Sequence, residues 1–139
     1  MIFWYILAGS IALAAALAVG FVVLRRRPKT LNPERYQAKW RDMQKLCAKK
    51  ETWPQAIVDA DKILEDALKT RRFAGKTVGE RLTKAQHTLT DNEGVWFGHK
   101  LRTKLDSDPS AKLKEKDVKQ ALLGIRQALK DLGAFRDGK

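Results

Sequence analysis

The stretch Lys114–Gly133, KEKDVKQALLGIRQALKDLG, decides how the rest of the chain is read. Val118, Ala121, Leu122, Ile125, Ala128, Leu129 and Leu132 recur at the spacing that sets them on one face of an α-helix, and Lys, Gln, Arg and Asp fill most of the other positions. Gly133 follows the last apolar residue, where a helix ends most easily through a left-handed residue. A helix that is apolar on one side needs other helices to cover that side.

Upstream segments repeat the pattern. Asn32-Pro33 is an N-cap followed by a first-turn proline, and Tyr36, Trp40, Met43 and Cys47 then mark a basic amphipathic helix expected to run to about Lys50. Thr52-Trp53-Pro54 opens a second, with Ile57, Ala60, Ile63, Leu64, Ala67 and Leu68 inward and Asp59, Asp61, Glu65 and Asp66 expected to face solvent. Thr77-Val78-Gly79-Glu80 matches the capping box, and Val78, Leu82, Ala85 and Leu89 form the stripe behind it. Asp91 or Asn92 caps a fourth helix reaching about Lys104. No segment alternates as a strand does. The expected fold is all-α, with an antiparallel bundle of four to five helices over residues 34–133 and a tail at 134–139.

The amino-terminal segment is of another kind. The chain has 139 residues with 28 Lys+Arg against 16 Asp+Glu, a net charge of +12, yet residues 1–24 contain none of these charges. Ile2–Leu24 is interrupted only by Gly9, Ser10 and Gly20 and would make a helix of about 35 Å, enough to cross a bilayer. Its basic cluster, Arg25-Arg26-Arg27, follows the apolar run, the reverse of a secretory signal peptide. Residues 1–24 are therefore read as an uncleaved transmembrane anchor and 25–33 as a basic linker. By the positive-inside rule the amino terminus faces out, Phe3, Trp4 and Tyr5 sit at the outer interface, and the remaining 115 residues are cytoplasmic beneath the inner membrane. Ala8, Ala12, Ala16 and Gly20 form a small-residue stripe, common in spans and suited to helix self-association.

Residues 25–50 hold ten basic and two acidic groups, whereas residues 51–68 hold one and five, so the positive excess is greatest beside the anchor. Arg25, Arg26, Arg27 and Lys29 are candidate contacts for an anionic inner leaflet, each cation contributing about 1 kcal/mol there. The same charge attracts RNA, but Tyr36 and Trp40 fall on the apolar stripe rather than among the cations, so no stacking platform accompanies it, and lipid or plain solvation is favoured over RNA.

A remainder of 115 residues excludes a large multidomain enzyme. Catalytic signatures are incomplete: there is no Gly-rich phosphate loop, no HExxH and no serine nucleophile motif, and the one cysteine, Cys47, shares its helix's apolar stripe. No cofactor or metal is expected. The fourth helix is the least ordinary, because Val95, Trp96, His99, Arg102 and Thr103 share one face while Phe97, Leu101 and Leu105 lie roughly opposite. Gly94 and Gly98 permit a close helix contact, which places this helix at the centre of the bundle or at the interface of a homodimer. His99, Arg102 and Trp96 form the candidate polar interaction site; the competing reading is that His99 and Arg102 satisfy neighbouring carboxylates or carbonyls. His87, opposite its helix's stripe, is expected to be exposed.

The string WPQAIVDADKIL at 53–64, GERL at 79–82, Trp96 with HKLR at 99–102, and ALKDLG at 128–133 together resemble small uncharacterised bacterial proteins, often membrane-anchored, of reduced-genome candidate-phylum bacteria. The likeness covers about residues 53–133. Its later part is distantly similar to HEPN helical bundles, in which an Arg, a polar residue and a His four to six positions after the Arg make a metal-independent ribonuclease site at a dimer interface. Arg102-Thr103 matches the start of that motif, but Ser107 stands fifth after Arg102 and no histidine occupies the permitted spacings. The resemblance thus implies an inactive copy, and His99, which precedes the arginine, does not inherit the catalytic role. The function expected is a noncatalytic membrane-anchored interaction or scaffold module with an unknown protein partner; the alternative is a membrane-tethered HEPN-like RNA-binding or degenerate ribonuclease module.

Overall fold

The computed structural model describes residues 2–25 and 29–136, and among them there are helices and no strands. Six α-helices follow in order: α1 (Ile2–Arg25), α2 (Pro33–Lys45), α3 (Trp53–Thr70), α4 (Val78–Ala85), α5 (Asn92–Ser107) and α6 (Glu115–Asp131). Helix α1 is long and apolar enough to cross a membrane, and none of its described residues is buried by the rest of the chain. Five helices make the bundle, at the upper end of the expected number.

The anticipated signals act at most helix ends. Asn32 Oδ1 accepts from the Glu34 amide at 3.1 Å, and Asp91 Oδ1 accepts from the Gly94 amide at 2.9 Å. At α6 Gly133 has φ 89°, and the Ala134 and Gly133 amides return to the Leu129 and Lys130 carbonyls, a Schellman ending. Half of the capping box forms: Thr77 Oγ1 accepts from the Glu80 amide, but the Glu80 carboxylate takes the Lys76 amide at 2.6 Å in place of that of Thr77.

Several boundaries differ from expectation. Helix α2 stops at Lys45 rather than about Lys50, and two 3₁₀ turns, Leu46–Ala48 and Lys50–Thr52, carry the chain into α3. Thr52 does not cap α3; its hydroxyl donates backwards to the Leu46 and Lys49 carbonyls, fixing this corner together with Trp53 Nε1 on the Cys47 carbonyl at 3.0 Å. Helix α4 ends at Ala85, so Leu89 reaches the core from the following turn. At the other end of the chain, Ala134 is buried and Phe135 packs edge-on against Trp40, so both belong to the bundle rather than to a tail.

Helix α3 is the hub, packing against α2, α4, α5 and α6. Sequential long helices α2–α3 and α5–α6 are antiparallel, as is α3–α5. Because α5 reverses α3 and α6 reverses α5, α3 and α6 run parallel, an exception to the antiparallel expectation. Ile57 near the start of α3 therefore meets Val118 and Ala121 near the start of α6, while Arg71 just past α3 donates from Nη1 to the Leu132 carbonyl at 2.7 Å. The α5–α6 seam is the closest. A methyl group on Gly124 would overlap the backbone of Gly94, and one on Gly98 would lie 2.9 Å from the Ala121 carbonyl oxygen. The glycines of α5 thus serve a contact inside the chain. Leu31, 7 % exposed, seats the start of the bundle only six residues after α1.

Candidate functional site

Helix α3 presents Asp61 inward, against the expectation that its acidic residues all face water. The side chain is only 1 % exposed and sits where α5 crosses α3. A carboxylate so placed needs donors, because removal from water without them is very costly. His99 Nδ1 approaches Asp61 Oδ1 at 3.2 Å, and Arg102 Nη1 donates to Asp61 Oδ2 at 3.2 Å. Both donors come from α5, three residues apart and hence on one face. Arg102 also donates from Nε to Asp106 Oδ1 at 3.0 Å, one turn on.

Trp96 completes the group from the preceding turn, its ring meeting the His99 imidazole edge-on at 5.9 Å between centroids. The first turn of α4 lies over both: a methyl group on Gly79 would stand 3.4 Å from the Trp96 ring and 3.9 Å from His99 Nε2. The predicted trio therefore comes together, with Asp61 at its centre. The sequence pattern hides Asp61 because Asp59, Asp61, Glu65 and Asp66 line up as one solvated face; the signal available is its position one residue from Ala60 and two from Ile63, at the edge of the apolar arc. Chemically the arrangement is an ion-paired lock between α3 and α5. The guanidinium is shared by two carboxylates, and the imidazole is oriented through Nδ1 with no protein partner at Nε2 among the described residues.

Asp66, also expected in solvent, accepts from the Tyr36 hydroxyl at 2.8 Å and lies 3.7 Å from Lys39 Nζ, so it joins α3 to α2. Of the predicted membrane-surface residues, Arg25 closes α1 and Lys29 is exposed; Arg26 and Arg27 lie outside the described residues. His87 is exposed, as expected, and Cys47 is half-buried against Met43.

A second feature was not visible in the sequence. Helices α2 and α6 both lean on α3, and between them runs an apolar groove of about 430 Å³ lined chiefly by Trp40, Met43, Cys47, Leu122 and Leu123. Leu123 is 66 % exposed, the one large apolar side chain so exposed among the described residues of the bundle. Lys119, Arg126 and Gln44 edge this groove, and Arg41, Lys130 and Arg136 edge a contiguous one sharing Trp40 and Arg126. The Trp40 indole N–H is buried with no acceptor among the described residues.

No protein-family model, curated protein or solved structure matches the chain.

Proposed function

We propose that the chain is a noncatalytic, single-pass inner-membrane protein whose α1 spans the bilayer with its amino terminus outside, and whose cytoplasmic bundle is an interaction module. The observation that carries this reading is the groove between α2 and α6. It combines an exposed leucine, an apolar floor and two rim cations, Arg126 and the Glu115-paired Lys119, with Arg41 on the contiguous groove and no carboxylate among the lining residues of either. Two helices with a gap between them accept a third by inserting apolar anchors spaced three to four residues apart. The rim selects the sign: the occupant is an acidic amphipathic helix of a protein partner, with its carboxylates over the cations.

The test is a photo-crosslinking amino acid at position 123 in intact cells. It should yield one defined protein adduct, lost when Lys119→Glu and Arg126→Glu are combined and absent with the crosslinker at Lys112. An adduct insensitive to the charge reversal, or formed equally from Lys112, would sink the reading.

The HEPN-like RNA-binding alternative rests on the net charge and on Arg102. It needs that guanidinium on RNA, whereas Asp61 and Asp106 hold two of its nitrogens. Salt-sensitive RNA binding that disappears in Arg102→Ala, with the helix content of the variant unchanged, would restore it.

A further inference from the structure

The first residue of α2 and the last of α3 and α6 lie at one end of the bundle. Arg136 Nη2 stands 3.6 Å from Glu34 Oε1, Tyr36 bonds Asp66 near the close of α3, and Arg71 ties α3 to the Leu132 carbonyl. This is also the end from which the chain leads back to α1. Seven residues, 26–32, separate α1 from α2 and reach at most about 25 Å when extended. With α1 spanning the bilayer, this end is held near the headgroups, and the loop at 108–114 is held away from them by roughly the 25 Å length of the 17-residue α6.

Exposed at the tethered end are Lys29, Arg35, Lys69, Arg72 and Arg136; Glu65 and Glu34 pair with Lys69 and Arg136, leaving a positive excess. Arg72 is the notable member. It occupies the position after the α3 cap with φ 63°, the left-handed conformation that glycine adopts freely, and it is the only non-glycine residue with positive φ among those described. The Phe73 and Arg72 amides return to the Leu68 and Lys69 carbonyls, so the backbone is that of a glycine-type ending built with an arginine. Gly133 serves the equivalent ending of α6. A charged side chain held where the backbone disfavours it, at the end facing the membrane, points to a use for the charge.

We infer that this end of the bundle, with Arg72 at its centre, is a docking platform for anionic phospholipid headgroups that fixes how the bundle stands on the membrane. The inference rests on the proposed spanning of α1, and the experiment separates the two. Full-length protein in a Cys47→Ala background is reconstituted into vesicles of phosphatidylcholine alone or with phosphatidylglycerol, and alkaline extraction followed by flotation checks that it is integral. A fluorophore is placed through His87→Cys, in the exposed turn whose neighbour Thr90 bonds Asp131 at the same end, or through Lys112→Cys at the far end. Quenching by a headgroup-labelled lipid is then read.

Quenching at position 87 should be strong only with phosphatidylglycerol, should fall with salt, and should exceed that at position 112. Removing one cation, as in Arg72→Gly, should lower the docked-to-free ratio by about fivefold, while the melting temperature of the same variant rises because the strained position is relieved. Weakened docking in a more stable protein cannot be ascribed to misfolding. Equal quenching in the two lipid mixtures or at the two ends, in protein that floats, overturns the platform alone. Protein extracted by alkali overturns the spanning of α1 and the platform with it.

Discussion

Helix α6 has two flanks built on opposite rules. Toward α5 its backbone is in contact, with Gly124 against Gly94 and Ile125 against Gly98, and no space is left for a methyl group. Toward α2 there is a groove, an indole N–H without an acceptor among the described residues and a leucine 66 % exposed. The same helix can be closed on one side and open on the other because α3 supports both arrangements. One helix can thus be sealed backbone to backbone along one flank and left open along the other, in a bundle that gives its buried carboxylate two donors.

The closed side should break most severely. Asp61→Ala leaves Arg102 and His99 facing an apolar gap, and an unfolding free energy lower by about 3 kcal/mol or more is expected from denaturant titration, with a smaller loss for Asp61→Asn. Gly124→Ala has no flexible neighbour to displace, only the α5 backbone, so a loss of about 3 kcal/mol is expected in the same measurement. A loss below 1 kcal/mol would show that the seam can slide.

Tyr36, which joins α2 to α3, sharpens the comparison through pH. Burial, with smaller contributions in the same direction from its hydrogen bond to Asp66 and the Asp66 charge, pushes the phenol above its ordinary value. The folded protein then holds that proton more tightly than the unfolded chain does. The contribution is present below about pH 10 and is lost as pH rises above it. Tyr36→Phe should cost about 1 kcal/mol near neutral pH through the lost hydrogen bond. It should also flatten the alkaline decline in melting temperature.

On the open side the expected effects on stability are smallest. Leu123→Ser should change unfolding free energy by less than about 0.5 kcal/mol while abolishing the partner adduct formed from a crosslinker placed at Gln44, on the edge of the same groove. A larger loss would mean that Leu123 is part of the core. Cys47, in the floor of the same groove, has its thiol pushed up by burial, so alkylation near neutral pH should be slower than for an unfolded control and should accelerate as pH rises.

How far the sequence could be read follows from what each feature depends on. Helix α6 and the caps at Asn32 and Asp91 depend on neighbours within a few residues, and these were legible. The all-helical class and the pairing of Gly94 and Gly98 with another helix were legible for the same reason. Asp61 was not, because its burial is decided by α5, some forty residues later, and periodicity within α3 places it at the edge of the apolar arc where either outcome is compatible. The groove was also hidden: periodicity sets Leu123 off the apolar stripe, but that it stands across a gap from Trp40 and Cys47 depends on the spacing of α2 from α6. The end of α2 at Lys45 escaped because Thr52 turns its hydroxyl back to the Leu46 carbonyl instead of forward to α3.

Leu31 has one more consequence. Its seat in the core leaves only a few residues between the bundle and α1, so on the proposed spanning of α1 a copy would search for the proposed partner in a thin layer rather than throughout a volume. A partner segment that is itself attached to the same membrane at matching height meets the groove at an effective concentration a soluble segment does not reach. A modest intrinsic affinity would then suffice, and the height of the groove above the bilayer would become part of its specificity.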